Sequence, residues 1–97
     1  MSITSYSDCP RGWFCAYEHE NGLGRMARFQ KGAADLRDFR LNDQISSVFN
    51  NLGNGQTFCT FLDINFNGAT WVVGNWRGNT AQYHRDENIS SLALGCF

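Results

Sequence analysis

Apolar and aromatic residues occur in short runs along the chain, and no run keeps the 3.6-residue spacing of a long amphipathic helix. Residues 13–17 and 57–64 are rich in aromatic and β-branched side chains, which favour strands. Each run is followed by a second strand-like stretch, at 25–30 and 69–73. The pattern predicts an all-β chain of short strands.

Turn signals separate these strands. Asn21-Gly22 and Asn67-Gly68 suit tight hairpins, because Asn and Gly tolerate positive φ. Residues 74–79 have the composition of a turn or loop, and one short helical turn is expected at 33–38.

The chain also matches itself at an offset of 44 residues. The matched pairs include Phe14/Phe58, Cys15/Cys59, Asn21/Asn65, Gly24/Gly68, Ile45/Ile89, Ser46/Ser90 and Ser47/Ser91. A single unit of about four short strands could not bury its apolar face alone, so two units predict a two-sheet sandwich of two Greek keys. We place the units at 9–52 and 53–97, after an N-terminal extension of residues 1–8.

Composition excludes several functional classes. The 97 residues are 42% hydrophobic and 14% aromatic, which suits one folded domain and leaves no room for a second. Eight Lys and Arg stand against nine Asp and Glu, so we expect no nucleic-acid or anionic-membrane surface. No stretch approaches the roughly 18 apolar residues of a membrane helix. We also expect the protein to be a monomer.

Two oxygen-rich loops occupy equivalent places in the repeat: Asn42-Asp43-Gln44-Ile45-Ser46-Ser47 and Asp86-Glu87-Asn88-Ile89-Ser90-Ser91. Calcium takes oxygen ligands, and such loops supply carboxylate, amide, hydroxyl and carbonyl oxygens densely. Zinc is disfavoured because His19 and His84 stand apart from each other and from the cysteines. The alternative is a pair of polar turns in which Ser47 and Ser91 brace the fold and no ion binds.

At these loops the chain resembles the βγ-crystallin superfamily, whose calcium motif is Asn/Asp, Asn/Asp, two variable residues, Ser/Thr and Ser. A second hallmark, an aromatic residue and a Gly that enclose six residues, matches Tyr17 to Gly24 and Phe61 to Gly68. The first loop fits the calcium motif fully, whereas the second departs from it at Glu87. The resemblance covers residues 9–97.

The resemblance implies calcium ions held between the two halves. The implied ligands are the hydroxyls of Ser46 and Ser90, side-chain or carbonyl oxygens of Gln44 and Asn88, backbone carbonyls of Asp43 and Glu87, and hairpin carbonyls near Glu18 and Leu62, with Asn42 and Asp86 bracing the turns. Neither third-position residue is acidic, so the affinity should be moderate or weak.

The stretch 9–17, Cys-Pro-Arg-Gly-Trp-Phe-Cys-Ala-Tyr, resembles the opening of secreted actinobacterial crystallin-like proteins grouped with a small metalloproteinase inhibitor of streptomycetes. Four cysteines permit three pairings. The resemblance implies Cys9 with Cys15 and Cys59 with Cys96. Disulfides would indicate a secreted protein, and the alternative is a cytoplasmic protein with four reduced thiols.

The functional prediction is therefore a calcium-binding, calcium-stabilised domain that is not an enzyme. A secreted metalloproteinase inhibitor or an antimicrobial crystallin-like toxin is the alternative, with a protease or a cell-surface target as partner. Its one irregular candidate loop is 50–56. Two groupings, Cys15 with His19 and Ser90 with His84 and Asp86, contain a nucleophile and a base, but no catalytic motif frames them. An aromatic carbohydrate platform is a weaker alternative to core packing for Trp13, Tyr17, Phe61, Trp71 and Trp76.

Overall fold

The computed structural model describes residues 6–53, 55–83 and 88–95. Over these ranges the chain forms short strands and 3₁₀ turns, and it contains no α-helix. The strands are β1 (Trp13–His19), β2 (Leu23–Phe29), β3 (Gly32–Ala33), β4 (Ser47–Asn51), β5 (Phe58–Asp63), β6 (Asn67–Val73), β7 (Arg77–Asn79) and β8 (Ser91–Leu94). The 3₁₀ turns lie at Tyr6–Asp8, Glu20–Gly22, Leu36–Phe39 and Thr80–Tyr83. A helix long and apolar enough to cross a membrane is absent from these described ranges.

The strands build two four-stranded antiparallel sheets, with the orders β2-β1-β4-β7 and β3-β8-β5-β6. The third strand of each unit joins the sheet of the other unit, because β3 pairs with β8 and β7 pairs with β4. Backbone hydrogen bonds therefore link the halves in both sheets. The predicted all-β sandwich of two Greek keys is confirmed.

The internal repeat is visible in the structure. The bounds of β2 and β6 differ by 44 residues, as do those of the 3₁₀ turns Leu36–Phe39 and Thr80–Tyr83. The expected turn near 33–38 is the first of these, and Asp35 begins it by accepting a hydrogen bond from the Arg37 N–H at 2.9 Å.

Two details of the sequence prediction are wrong. Asn67-Gly68 lies inside β6, and the second hairpin instead turns at 64–66, where Asn65 and Phe66 adopt φ of 59° and 62°. The stretch 74–79 is also not wholly a loop, because it contains β7. That strand has only three residues with a central Gly78, so the pairing with β4 creates it without a local strand pattern.

The core lies between the two sheets. Phe14 and Phe58, equivalent in the repeat, stack with ring centroids 4.4 Å apart and planes 10° from parallel. Tyr17 and Phe61 are buried, which agrees with packing rather than with an exposed aromatic platform. Trp71 and Trp76 are partly exposed and pack edge to face at 5.9 Å.

A disulfide joins Cys9 to Cys15, as the resemblance implied, and fastens the N-terminal segment to β1. Tyr6 packs edge-on against Tyr17 at 5.5 Å and Phe49 at 5.9 Å, so the described part of the N-terminal extension packs on the domain. Cys59 is also disulfide-bonded. Its expected partner, Cys96, lies outside the described residues.

Candidate functional site

The last serine of each oxygen-rich loop braces the opening hairpin of its own half. The Ser47 hydroxyl donates to the His19 carbonyl at 2.6 Å and accepts from the Gly22 N–H at 2.9 Å. Its repeat equivalent, Ser91, donates to the Asp63 carbonyl at 2.6 Å and accepts from the Phe66 N–H at 3.1 Å. Both serines are fully buried, so they hold the fold together and are not free to bind a ligand.

The preceding serines, Ser46 and Ser90, are held by backbone hydrogen bonds to both halves. Each N–H donates at 2.9 Å to a carbonyl in the opening strand of its own half, and each carbonyl accepts at 3.0 Å from an N–H of the other half. The N–H bonds are Ser46 to Tyr17 and Ser90 to Phe61, and the carbonyl bonds are Ser46 from Thr80 and Ser90 from Leu36. The two predicted hydroxyl ligands therefore occupy equivalent, rigid positions between the halves.

The two loops meet at Asp43. Its N–H donates to the Ile89 carbonyl at 3.1 Å, and its Oδ1 accepts from the Ser90 hydroxyl at 3.1 Å. Asp43 also adopts a φ of 55°, which turns the backbone sharply at the start of the loop. The Asp43 carboxylate of the first half is thus hydrogen-bonded to the Ser90 hydroxyl of the second half.

Asn42 contains a buried oxygen without a donor. Its side-chain Oδ1 accepts no hydrogen bond from the described residues, whereas its Nδ2 makes a long contact of 3.4 Å to Asp43 Oδ2. Buried polar atoms are nearly always paired, and an exception suggests a missing water or ion. Sequence reasoning assigned Asn42 only a bracing role, so this free acceptor is a feature that it missed.

The side chain of Gln44, the third residue of the first loop, is hydrogen-bonded to Arg25. Arg25 Nη2 donates to Gln44 Oε1 at 3.1 Å and to Glu18 Oε2 at 2.9 Å. The hydrogen bonds from Arg25 hold the pKa of the Glu18 carboxyl below its usual range. For the Gln44 side chain to bind an ion, this guanidinium would have to move. Sequence reasoning did not include Arg25, which is 19 residues from Gln44 and carries no local signal.

The two predicted hairpin carbonyls lie at β-bulges. The β1–β2 pairing shifts register between Tyr17 and His19, and the β5–β6 pairing shifts between Phe61 and Asp63. Glu18 and Leu62 consequently have no direct partner in either neighbouring strand. A bulge interrupts the ladder and re-aims the backbone, so it suits a carbonyl that binds something other than a neighbouring strand.

The second loop is described only in part. Asp86 and Glu87 lie outside the described residues, and Asn88 is exposed. The nucleophile-and-base grouping of Ser90 cannot be traced, since His84 and Asp86 also lie outside. Cys15 is in a disulfide and therefore provides no thiolate nucleophile.

A comparison with models of protein families shows the family to which this chain belongs. The family described as peptidase inhibitor family I36 matches residues 2–73, which is more than half of the chain. The chain belongs to this family. A search of curated proteins finds no significant match.

Solved structures agree with the fold. A βγ-crystallin domain studied for the evolution of the eye-lens domain fold is 26% identical, with a TM-score of 0.82 over 99% of both chains. An archaeal βγ-crystallin is also 26% identical, with a TM-score of 0.71 over 89% of this chain and all of its own. A βγ-crystallin of Ciona intestinalis, at 22% identity and a TM-score of 0.75 over 87% of this chain and 100% of its own, shows the fold alone. Both the crystallin-like fold and the inhibitor-family grouping indicated by the sequence are therefore confirmed.

Proposed function

We propose that this member of peptidase inhibitor family I36 is a non-enzymatic calcium-binding domain whose native state calcium stabilises. The observation that carries the proposal is the buried Asn42 Oδ1, which has no donor among the described residues. It lies in the loop whose sequence suits calcium, next to the Asp43 carboxylate. A calcium ion would supply the positive partner that this oxygen lacks.

The available donors suit calcium better than a transition metal. The described residues contain no cluster of three or more His, Cys, Asp or Glu that could hold a metal, so a zinc-type site has no support there. Calcium instead accepts neutral oxygens from amides, hydroxyls and carbonyls. With Asp43 as the carboxylate of the first loop, the affinity should be moderate.

The geometry supports a division of roles among the residues. In the site nearest the Asp43–Ser90 contact, the candidates are the Asn42 amide, the Asp43 carboxylate or carbonyl, the Ser90 hydroxyl and the Leu62 carbonyl. By the symmetry of the repeat, the second site would use Ser46, Glu18, Asn88 and Glu87, with Asp86 bracing its turn. We propose that Gln44 contributes only when Arg25 releases it.

Bound calcium would connect the two halves of the domain. Ser90 and Asp43 belong to different Greek keys, so an ion on both would add a bridge to the exchanged strands β3 and β7. An ion that binds only the folded chain stabilises it by mass action. Such an ion would have a structural role, because it would bridge oxygen ligands of the two halves and take part in no catalytic step.

Isothermal calorimetry with calcium is the direct test. We expect saturable binding of calcium and much weaker binding of magnesium, because magnesium demands a smaller octahedral site and releases its waters reluctantly. Ser46→Ala should weaken one site, and Asn42→Ala the other. Absence of heat at millimolar calcium, with the fold intact by circular dichroism, would refute the proposal.

Peptidase inhibition is the second candidate function, and the family match over residues 2–73 favours it. The irregular segment 50–56 is held by hydrogen bonds from its first residue. The buried Asn50 side chain donates to the Gln56 carbonyl at 3.0 Å and to the Val73 carbonyl at 2.9 Å. These bonds fix both ends of the segment, and a preorganised loop loses less entropy when it binds an enzyme.

Inhibition can be tested independently of calcium. Purified protein should slow at least one thermolysin-like metallopeptidase at micromolar concentration, and Asn50→Ala should weaken that inhibition by loosening the segment. No effect on a panel of such enzymes would count against inhibition and leave calcium binding unaffected.

We also propose that the protein works outside the cell, where the Cys9–Cys15 disulfide persists. Intact mass after alkylation under denaturing conditions, without reductant, should show no modified cysteine. Four alkylated cysteines would instead support a cytoplasmic protein.

A further inference from the structure

The strand β6 lies at an open edge of the β3-β8-β5-β6 sheet. Its residues 67–70 and Val72 are exposed, and Val72 keeps 48% of its surface in contact with solvent. The strand contains no charged residue and no proline. Natural proteins usually protect an exposed edge with charges, prolines or a covering segment, because its free N–H and C=O groups can pair with another chain.

The equivalent strand of the first half is protected. β2 also lies at an edge, that of the β2-β1-β4-β7 sheet, but it carries Arg25 and Arg28. Arg28 is the repeat equivalent of Val72, 44 residues earlier. Two copies of β2 would bring cations together, whereas two copies of β6 would not. The net charge of −1 also adds little repulsion between whole molecules.

The backbone of β6 shows which groups are available. The Thr60 hydroxyl on β5 donates to the Trp71 carbonyl at 2.9 Å, so the polar backbone groups of Trp71 face β5. Backbone groups alternate in direction along a strand, so those of Thr70 and Val72 face outward. No backbone–backbone hydrogen bond outside the strand ladders reaches these two residues within the part of the chain that is described.

An aromatic cleft opens beside the same edge. Its lining residues are Trp71, Val72, Gly74, Asn75 and Trp76. None of these described lining residues is charged, so the cleft suits an apolar or aromatic group brought by an incoming strand. A second β6 brings its own Trp71.

We propose that β6 is a self-association edge, through which two copies of this chain pair as antiparallel strands. In the register that uses the outward backbone groups, Thr70 of one copy lies opposite Val72 of the other, and Val72 of the first copy lies opposite Thr70 of the second. Each pair exchanges two N–H···O bonds, about four in all. The two Trp71 residues then face each other beside the cleft, and the two four-stranded sheets become one continuous sheet.

The proposed dimer differs from the monomer that the sequence led us to expect. Its formation depends on neither calcium binding nor peptidase inhibition. The contact is smaller than a standard protein interface, so the dimer should be weak, with a Kd on the order of 100 µM. β-Branched Thr–Val pairs across the new strand contact would favour it modestly.

Analytical ultracentrifugation of three proteins tests the proposal. Wild type should show a reversible dimer between about 10 µM and 1 mM. Val72→Arg, which gives β6 the residue found at the equivalent place in β2, should raise the Kd at least about tenfold. Leu23→Arg is the matched control, because Leu23 is 39% exposed and the change adds the same charge elsewhere, so its dimer should remain.

Amide hydrogen exchange in wild type gives a readout that needs no variant and remains decisive if Val72→Arg does not fold. Protection of the Thr70 and Val72 amides should rise with protein concentration, while the amides of Met26 and Arg28 on β2 should not change. A wild-type chain that stays monomeric at about 1 mM, or equal dimerisation of both Arg variants, would overturn the proposal. Pairing of β6 with a different polypeptide, without self-association, would overturn it too.

Discussion

Asp43 and Ser90 meet across the boundary between the two Greek keys, where the Ser90 hydroxyl donates to Asp43 Oδ1 at 3.1 Å. The contact brings together residues from loops that are 44 residues apart in the repeat. The neighbouring serine of the second loop, Ser91, has its hydroxyl buried in the opening hairpin. Adjacent serines of one motif therefore have separate tasks, which mutation can distinguish.

Ser90→Ala should weaken calcium binding while leaving the fold intact. The substitution removes an oxygen from the region near Asp43 but keeps the backbone bonds of residue 90. We expect an affinity loss of about 10- to 100-fold, since a bond to a charged group contributes on the order of 1.5–3 kcal/mol. Calorimetry measures the loss. Unchanged affinity would mean that the Ser90 hydroxyl is not a ligand.

Ser47→Ala should instead lower the stability of the calcium-free protein. It leaves the buried Gly22 N–H and the His19 carbonyl without their hydroxyl partner. Unsatisfied groups of this kind cost about 1–3 kcal/mol each, so we expect a loss of at least about 2 kcal/mol in urea unfolding. Ser46→Ala is the matched control, and a loss of equal size there would contradict the distinction between the serines.

Arg25→Gln should raise calcium affinity and remove a pH-dependent contribution to stability. The guanidinium contacts Glu18 and Gln44, both implied in binding, and its charge opposes a cation. Because Arg25 lowers the folded-state pKa of Glu18, the resulting stabilisation is present above the unfolded pKa and is lost as the pH falls through the folded pKa.

The pH dependence of Arg25→Gln is measured by urea unfolding between about pH 6 and pH 3, compared with wild type. The difference in stability between the two proteins should shrink as the pH falls. A constant difference over this range would show that the Glu18–Arg25 pair does not contribute through ionisation.

The backbone of Phe66 is expected to be strained, because it adopts a positive φ that its repeat equivalent, Gly22, adopts without a side chain. Its φ is 62°, in a region that favours glycine, but its ring packs on Phe61 at 5.8 Å. Phe66→Ala should lose the packing and keep the strain, whereas Phe66→Gly should lose both. We therefore expect the Gly variant to be more stable than the Ala variant by about 1 kcal/mol. Thermal unfolding compares them, and a more stable Ala variant would contradict the strain.

The sequence predicted the features that are encoded locally or by repetition. Aromatic-rich runs placed β1 and β5, and the 44-residue offset placed the oxygen-rich loops in equivalent positions. It did not predict β7, because three residues around Gly78 form a strand only when β4 is beside them. It also assigned the second hairpin turn to Asn67-Gly68, since no propensity rule places Phe66 at positive φ.

The site was predictable in type but not in its internal contacts. The motif identified Asp43 and Ser46 in the first half and Ser90 in the second half as candidates. Which residues meet depends on how the halves pack, so neither the Asp43–Ser90 bond nor the capture of Gln44 by Arg25 has a signal in sequence. The Asn42 oxygen, which has no donor among the described residues, is likewise a property of packing, because exposure would have let water satisfy it.

The measurement that tests the central claim most directly is the melting temperature of the wild-type chain in excess calcium and in chelator. At a hundredfold excess over Kd, binding to the native state adds about 2.7 kcal/mol. For a domain of this size we therefore expect a midpoint about 10–20 °C higher in calcium, with little shift in magnesium. Equal midpoints in calcium and chelator would contradict the calcium-binding account.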